Sequence, residues 1–286
     1  MSADSIIPFT FEFLPVRGAL IHLSRSWRRM QRGHDYDALL TETLGHAAAA
    51  TGMIAQSLKF DGTITLQIQG GGALQMLVMQ CTSDLDMRGM ASMREGAAAS
   101  SFAALTDNAH CAITVDTGER PYQGIVAIEG DSLSSSLEHY FDRSVQVPSH
   151  VVLVANEQVV GGILLQRMPD QSIDEDDWNR LHFLVETLTT KDFEGDAGLD
   201  LIRKLFAEDD VRVREARAVN FNCRCSNQKV EDILKMLGEE ESRAALEGRE
   251  SIEVVCEYCG EKRNFDSVDV TRLFTDNVVT GPESVQ

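Results

Sequence analysis

The sequence predicts an α+β protein: an N-terminal core of antiparallel hairpins with helices, a helical linker, and a small C-terminal module built on cysteines. Three observations carry that prediction. Over the first 170 or so residues, short strand-like runs follow one another across turn signals while helical patterns stand apart, as in antiparallel hairpins and not in a doubly wound parallel sheet. After Pro169 the composition shifts to acid-rich segments with apolar residues at helical spacing. Four of the six cysteines then stand in two close pairs, Cys223-Arg-Cys225 and Cys256-Glu-Tyr-Cys259, with thirty residues between them. The boundaries implied are a core over 1–170, a linker over 171–218, a module over 219–274 and a disordered tail over 275–286.

In the core, Phe9 to Ile21 alternates weakly and reads as a first strand. Arg25, Arg28, Arg29 and Arg32 around Trp27 read as a solvated face, with a polar docking patch as the alternative. Between Asp37 and Leu58, Leu40, Leu44, Ala47, Ala48 and Ile54 recur at helical spacing, an amphipathic helix with a small-residue face for close packing. Ile64, Leu66 and Ile68 then alternate with polar residues, Gly70-Gly71-Gly72 turns the chain, and Leu74 to Cys81 returns as a second strand. No Lys-Ser/Thr follows the glycines, so the triplet is a hairpin turn and not a phosphate loop. Ala112 to Val115 with Tyr122 to Ile128, and Val151 to Val154 with Val159 to Leu165, make two further hairpins. Ser132 to Phe141 reads as a helix capped by Asp131 or Ser132. Gly161-Gly162 inside a strand implies a bulge or a close backbone approach.

No catalytic constellation accompanies these elements. The seven histidines are scattered, with no His-Glu-x-x-His or Gly-x-Ser-x-Gly pattern, and Cys81 and Cys111 lie in apolar strand patterns as inert packing residues. The reading is of a protein that is not an enzyme. With 26 basic against 45 acidic residues the chain carries a net charge of −19, which disfavours nucleic acid and anionic membranes as partners. No apolar run is long enough to span a bilayer, and no basic region precedes an apolar one at the N-terminus. Six cysteines without an export signal point to a reducing compartment, the cytoplasm.

In the linker, Ser172 followed by Asp174, Glu175, Asp176 and Asp177 reads as a cap and an acidic first turn. Trp178, Leu181, Leu184, Val185 and Leu188 form one apolar stripe; Leu199, Ile202, Leu205 and Phe206 form a shorter one ahead of the charged run from Glu208 to Arg217. Segments this short and charged hold helix mainly by packing on something else, so the linker is expected to be docked.

In the module, Val230 to Leu237, Glu239 to Leu246 and Val268 to Phe274 read as helices, and Ile252, Val254 and Val255 as a strand. About fifty-five residues with few large apolar groups need a staple. No histidine occurs after His182, so the staple is all-cysteine: Cys223, Cys225, Cys256 and Cys259 as thiolate ligands of one Zn²⁺ per reduced chain. Four protein ligands leave no open position, which makes the metal structural. The single residue inside Cys-x-Cys is unusual for a zinc ribbon. A sulfenic acid formed on one sulfur condenses with a neighbouring thiol, so oxidation is expected to give disulfides Cys223–Cys225 and Cys256–Cys259 and to eject zinc.

The run Phe221-Asn-Cys-Arg-Cys-Ser226, with Lys229-Val230, Leu237-Gly238, Ile252-Glu253-Val254, Cys256-Glu-Tyr-Cys259, Phe265, Asp269-Val270 and Leu273-Phe274, closely resembles the redox-regulated bacterial chaperones of the thirty-three-kilodalton heat-shock protein family. Tyr140-Phe-Asp-Arg-Ser144 with Gln146, and Gly161-Gly-Ile-Leu-Leu-Gln166 with Pro169, resemble that family's core motifs. Val145, where an acid is expected, and Arg263, where an aromatic is usual, depart from it without removing a ligand. The resemblance implies an ATP-independent holdase, inactive when reduced and zinc-bound. On oxidation it would form two disulfides, release zinc, unfold the module and linker, bind unfolding client proteins and dimerise. Trp178, Leu181, Leu184, Leu188, Leu199, Ile202, Leu205 and Phe206 are the apolar surface such a release would uncover. Two rivals remain: a zinc ribbon for nucleic acid or transcription machinery, and a Cys-x-x-Cys thiol-disulfide oxidoreductase. Residues 220–274 hold eight Lys/Arg against twelve Asp/Glu, which weighs against the first.

Overall fold

In a computed structural model of the chain, which describes residues 4–169, 171–195 and 198–275, the first two strands form a hairpin. Strand β1 (Ser5–Phe11) pairs antiparallel with β2 (Val16–Leu23), Ser5 opposite His22. The single strand expected from Phe9 to Ile21 is thus two. Pro15 has no N–H for a ladder, and Val16 N–H donates back to Leu14 C=O at 2.7 Å, turning the chain. Helix α1 (Arg25–Gln31) opens on the Asp4 carboxylate, which accepts the N–H groups of Ser24, Arg25 and Ser26. Burial raises the carboxyl's pKa, but those donors outweigh it and hold it below the usual value.

Helix α2 (Ala38–Ser57) starts from Asp37, whose side chain accepts Leu40 N–H at 2.7 Å. It is not amphipathic in the ordinary sense. Most of its circumference is buried because it runs between two sheets, touching β2 and, as described next, strands of both. Its alanines and glycines let both sheets approach: a β-carbon on Gly45 would strike Ala155, and one on Gly52 would strike Ile21.

The chain continues through β3 (Thr63–Gln69), β4 (Leu74–Thr82), β5 (Asp86–Met93), a one-turn α3 (Phe102–Leu105), β6 (His110–Asp116), β7 (Tyr122–Ala127), α4 (Leu133–Tyr140), β8 (Ser149–Ala155) and β9 (Val160–Arg167). The expected hairpins β3–β4, β6–β7 and β8–β9 are present. Ser132 caps α4, accepting Ser135 N–H, and a π-helical turn, Phe141–Val145, follows it. Val145 ends that turn and is exposed.

The linker folds onto this core. Helix α5 (Glu175–Glu186) is capped by Asp174 and not by Ser172, leaving three acids in its first turn. Helices α6 (Thr190–Phe193) and α7 (Leu199–Leu205) follow. The charged run beyond them is not a helical tether: it forms β10 (Val211–Val213), β11 (Arg217–Ala218) and β12 (Asn220–Phe221). One sheet runs β10-β1-β2-β9-β8, with β11 also on β1; the other runs β12-β5-β4-β3-β6-β7, antiparallel except where β12 joins β5. The first sheet faces α2 on one side and α5–α7 on the other.

Contacts divide the chain into two compact units, Met1–Asn222 and Cys223–Gln286. Val219 to Asn222, expected in the module, thus fall in the first unit: Val219 N–H donates to Asp4 C=O, and Phe221 N–H donates to Ser26 Oγ. Arg29 of the basic patch lies 5.4 Å from the Phe221 ring centre, so part of that patch holds the end of the linker. The second unit contains α8 (Asn227–Leu237), α9 (Glu239–Leu246), a hairpin of β13 (Ser251–Val255) and β14 (Lys262–Asp266), and α10 (Ser267–Thr275). Its core is small, centred on Val230, Leu234, Phe265, Val270 and Leu273. Arg263 on β14 stands opposite Val254, with two guanidinium nitrogens that are buried and find no hydrogen-bond partner among the described residues. The tail expected over 275–286 lies, beyond Thr275, outside the described residues.

Candidate metal centre

Two local structures deliver the cysteines of the second unit. Cys223 and Cys225 lie just ahead of α8, whose cap Ser226 accepts Lys229 N–H at 3.2 Å. Cys256 and Cys259 occupy the turn between β13 and β14. Cys256 N–H donates to Glu261 C=O at 2.9 Å, and its own C=O accepts from Cys259 and Gly260. Gly260, at φ 66°, takes the left-handed conformation that closes this knuckle.

The four sulfurs lie within 4.8 Å of one another. The Cys223–Cys256 separation is 3.7 Å and the Cys225–Cys259 separation 3.5 Å, and the sulfurs also interact within each sequence pair. Tetrahedral thiolate coordination with metal–sulfur bonds of about 2.3 Å spaces its sulfurs by about 3.8 Å. The tetrad therefore has the size and donor set of a four-thiolate metal site. All four are only half-buried. Burial pushes the Cys223 and Cys259 thiols up. It opposes ionisation of Cys256 too, but there the N–H groups of Tyr258 and Cys259 and the neighbouring sulfurs hold the thiol below its usual value. Cys81 and Cys111 are fully buried, and burial raises both to about 12, which suits packing residues.

The apolar stripes lie in the first unit. Trp178, Leu181 and Leu188, with Ile202 and Phe206, are buried against Phe9, Leu20, Ile163 and Leu165 of the first sheet; Leu184 and Leu205 pack at the margin, and Leu199 is 37% exposed. Phe193, which the sequence reading did not single out, is fully buried with its ring against Gly161. The signal was the glycine pair: the close approach is made by an aromatic ring.

A sequence model described as "Hsp33 protein" matches residues 4–266. The 33 kDa chaperonin of Methylobacillus flagellatus is 38% identical over 282 residues, covering 97% of this chain and 96% of that one. The chain belongs to the Hsp33 family. The 33 kDa chaperonin of Nitrosococcus oceani is 39% identical over 276 residues, covering 96% of each. These Hsp33 relatives are named as chaperonins and not as enzymes. The crystal structure of the Thermotoga maritima 33 kDa chaperonin, 22% identical, shares the fold with a TM-score of 0.80 over 96% of this chain and 99% of that one. Of the described helices, none is long and apolar enough to cross a membrane.

Proposed function

We propose that the chain is a redox-gated, ATP-independent holdase whose cysteine tetrad is a zinc latch. The observation that carries this reading is the four-sulfur cluster in a unit with too small a core to stand firmly alone. Zn²⁺ at Cys223, Cys225, Cys256 and Cys259 would supply structural cohesion only, on the order of 10–16 kcal/mol of apparent binding energy in small zinc peptides. The chain's own chemistry is thiol oxidation. One peroxide converts a thiol to a sulfenic acid with loss of water; the second thiol of the pair displaces a further water and closes the disulfide. Two peroxides thus consume all four thiols, leaving no thiolate to hold the ion. In the opened unit a partner one or two residues away is far easier to reach than one thirty away, which favours Cys223–Cys225 and Cys256–Cys259 over the between-pair contacts of the folded cluster.

Loss of the second unit's fold would then loosen the linker. Lifting α5–α7 bares Trp178, Leu181, Ile202 and Phe206 together with the sheet face beneath, an apolar area of the kind that non-specific client binding needs. The oxidised form would dimerise. A reducing, cytoplasmic setting keeps the resting state loaded. The hairpin position of Cys256 and Cys259, away from any helix N-terminus, weighs against a thiol-disulfide oxidoreductase.

The test is peroxide under mildly unfolding conditions, with zinc release followed by a chromophoric chelator and client aggregation by light scattering. About one zinc per chain should appear as suppression switches on, and peptide mapping should find both disulfides within the pairs. Equal suppression by the reduced, zinc-loaded chain would overturn the reading.

A further inference from the structure

Outside the cysteine cluster, one other group of side chains has metal-ligand chemistry. Glu138 on α4, His150 on β8 and His182 on α5 each bring a donor atom within 4.8 Å of the others. The first two belong to the core; the third belongs to the first helix laid over it. His182 Nε2 is 3.1 Å from Glu186, one turn along α5. With Nε2–H directed there, Nδ1 keeps the lone pair, and that nitrogen is buried without a hydrogen-bond partner among the described residues. A carboxylate behind an imidazole in this way is how metal-ligating histidines are oriented.

His150 has a similar deficit. Its Nε2 is buried and unpartnered, and its Nδ1 is 3.9 Å from Glu138 Oε1, too far for a hydrogen bond. The ring is nonetheless fixed, its centre 4.0 Å from that of Trp178 in a stack and 4.1 Å from that of His182 in a tilted contact. Burial, His182 and Arg167 lower its pKa to about 3, which keeps it a neutral ligand. Glu138 Oε1 takes Val151 N–H at 2.7 Å. The nearby cation, Arg167, is occupied by a bidentate pair with Glu175 at 2.8 and 2.9 Å.

We propose that Glu138, His150 and His182 form a second metal site, two imidazoles and a carboxylate, for a divalent ion of the Zn²⁺, Co²⁺ or Ni²⁺ type, and that the ion pins α5 to the core. Nitrogen and oxygen donors suit these borderline ions, and the half-exposed Glu138 and His182 leave a way in. The site stands whether or not the cysteine tetrad is a switch. Its ligands are not thiols, so peroxide at levels that oxidise cysteine leaves them intact. Metal supply would therefore set how firmly the linker is held, separately from thiol oxidation.

The experiment uses the full chain without a histidine tag, reduced, loaded with one equivalent of Zn²⁺ and freed of excess, then titrated with Co²⁺. One further Co²⁺ per chain should bind without a sulfur-to-cobalt charge-transfer band, quenching tryptophan emission in the wild type and much less in Trp178→Phe. His182→Gln and Glu138→Gln should each weaken that binding tenfold or more while retaining the first zinc. Circular dichroism verifies their fold. Absence of a saturable second equivalent, undiminished binding in both variants, or a sulfur band signalling displacement of the cysteine-bound zinc would each overturn the proposal.

Discussion

Replacing Gly161 with alanine tests the docking of the linker at a single atom. A β-carbon at this position would lie 2.2–2.6 Å from three ring atoms of Phe193, against about 3.5–4.0 Å for a comfortable carbon–carbon contact. Gly161 is not among the glycines with left-handed backbone, so alanine adds a clash and no backbone strain. Phe193 has little freedom to step aside: its side chain is fully buried and its C=O lies 3.0 Å from His22 Nε2. Relief comes by lifting the ring and α6 with it. Overpacking of this kind costs about 1–3 kcal/mol. At 1.36 kcal/mol per factor of ten, docking shifts about five- to 150-fold toward the undocked form. Hydrogen exchange across residues 175–205 should quicken accordingly, Trp178 emission should move to longer wavelength, and the reduced, zinc-loaded variant should suppress client aggregation without oxidant. In a Phe193→Ala background the added methyl has room, so the same substitution should then cost little. Wild-type exchange in Gly161→Ala, or an equal penalty in both backgrounds, would refute the reasoning.

Cys256→Ser should lose the bound metal, and with it the helical signal of the second unit and the docking of α5–α7, while the two sheets and α2 of the first unit stay folded; calorimetry and hydrogen exchange with and without chelator separate these effects. His150, on β8 of the core, is neutral in the fold because burial, His182 of α5 and Arg167 lower its pKa from 6.5 to about 3; the share of that shift that α5 supplies makes docking weaken as pH falls below about 6.5, by at most about 1.4 kcal/mol per pH unit. Glu138, whose carboxyl burial raises, works in the opposite sense at the acidic end. Trp178 emission titrated from pH 7.5 to 5 follows this, and His150→Gln should flatten the profile. Asp4→Asn weakens the shared acceptor of three N–H groups at the head of α1 and should cost about 1–2 kcal/mol, a fall in the first unit's Tm of about 2–8 °C.

Much of the core could be read from local pattern, because β3, β4, β8 and β9 are paired with sequence neighbours, and β3 and β8 alternate against one buried side. The cysteine cluster was legible for a related reason: close pairs of ligands are a local signal. What escaped depends on partners distant in sequence. Strands β10 to β12 sit in a charged run and are held by the backbone of β1 and β5, some 130–210 residues away, with few side chains buried. The alternation of β14 is hidden by Lys262, Arg263 and Asn264. Helix α2 reads as one-sided since its alanines are ambiguous about which face is covered; two sheets cover both. The Glu138, His150 and His182 cluster joins three elements that no spacing rule connects.

Strand β1 is the margin of its sheet, and β10 and β11 close it from outside. A linker that lifts away carries those two strands with it and leaves a bare row of main-chain donors and acceptors. Such a row recognises any extended polypeptide, whatever its side chains, which is the selectivity a protein facing arbitrary misfolding substrates requires. The same row is a hazard, because open margins also recruit copies of themselves into fibres. Pro8 stands at its middle, between the stretch that meets β11 and the stretch that meets β10. Its C=O, which takes Arg214 N–H at 2.9 Å, faces outward with no N–H beside it. A visiting strand can therefore form a few bonds on either side of the proline but no unbroken ladder, so what is captured stays releasable.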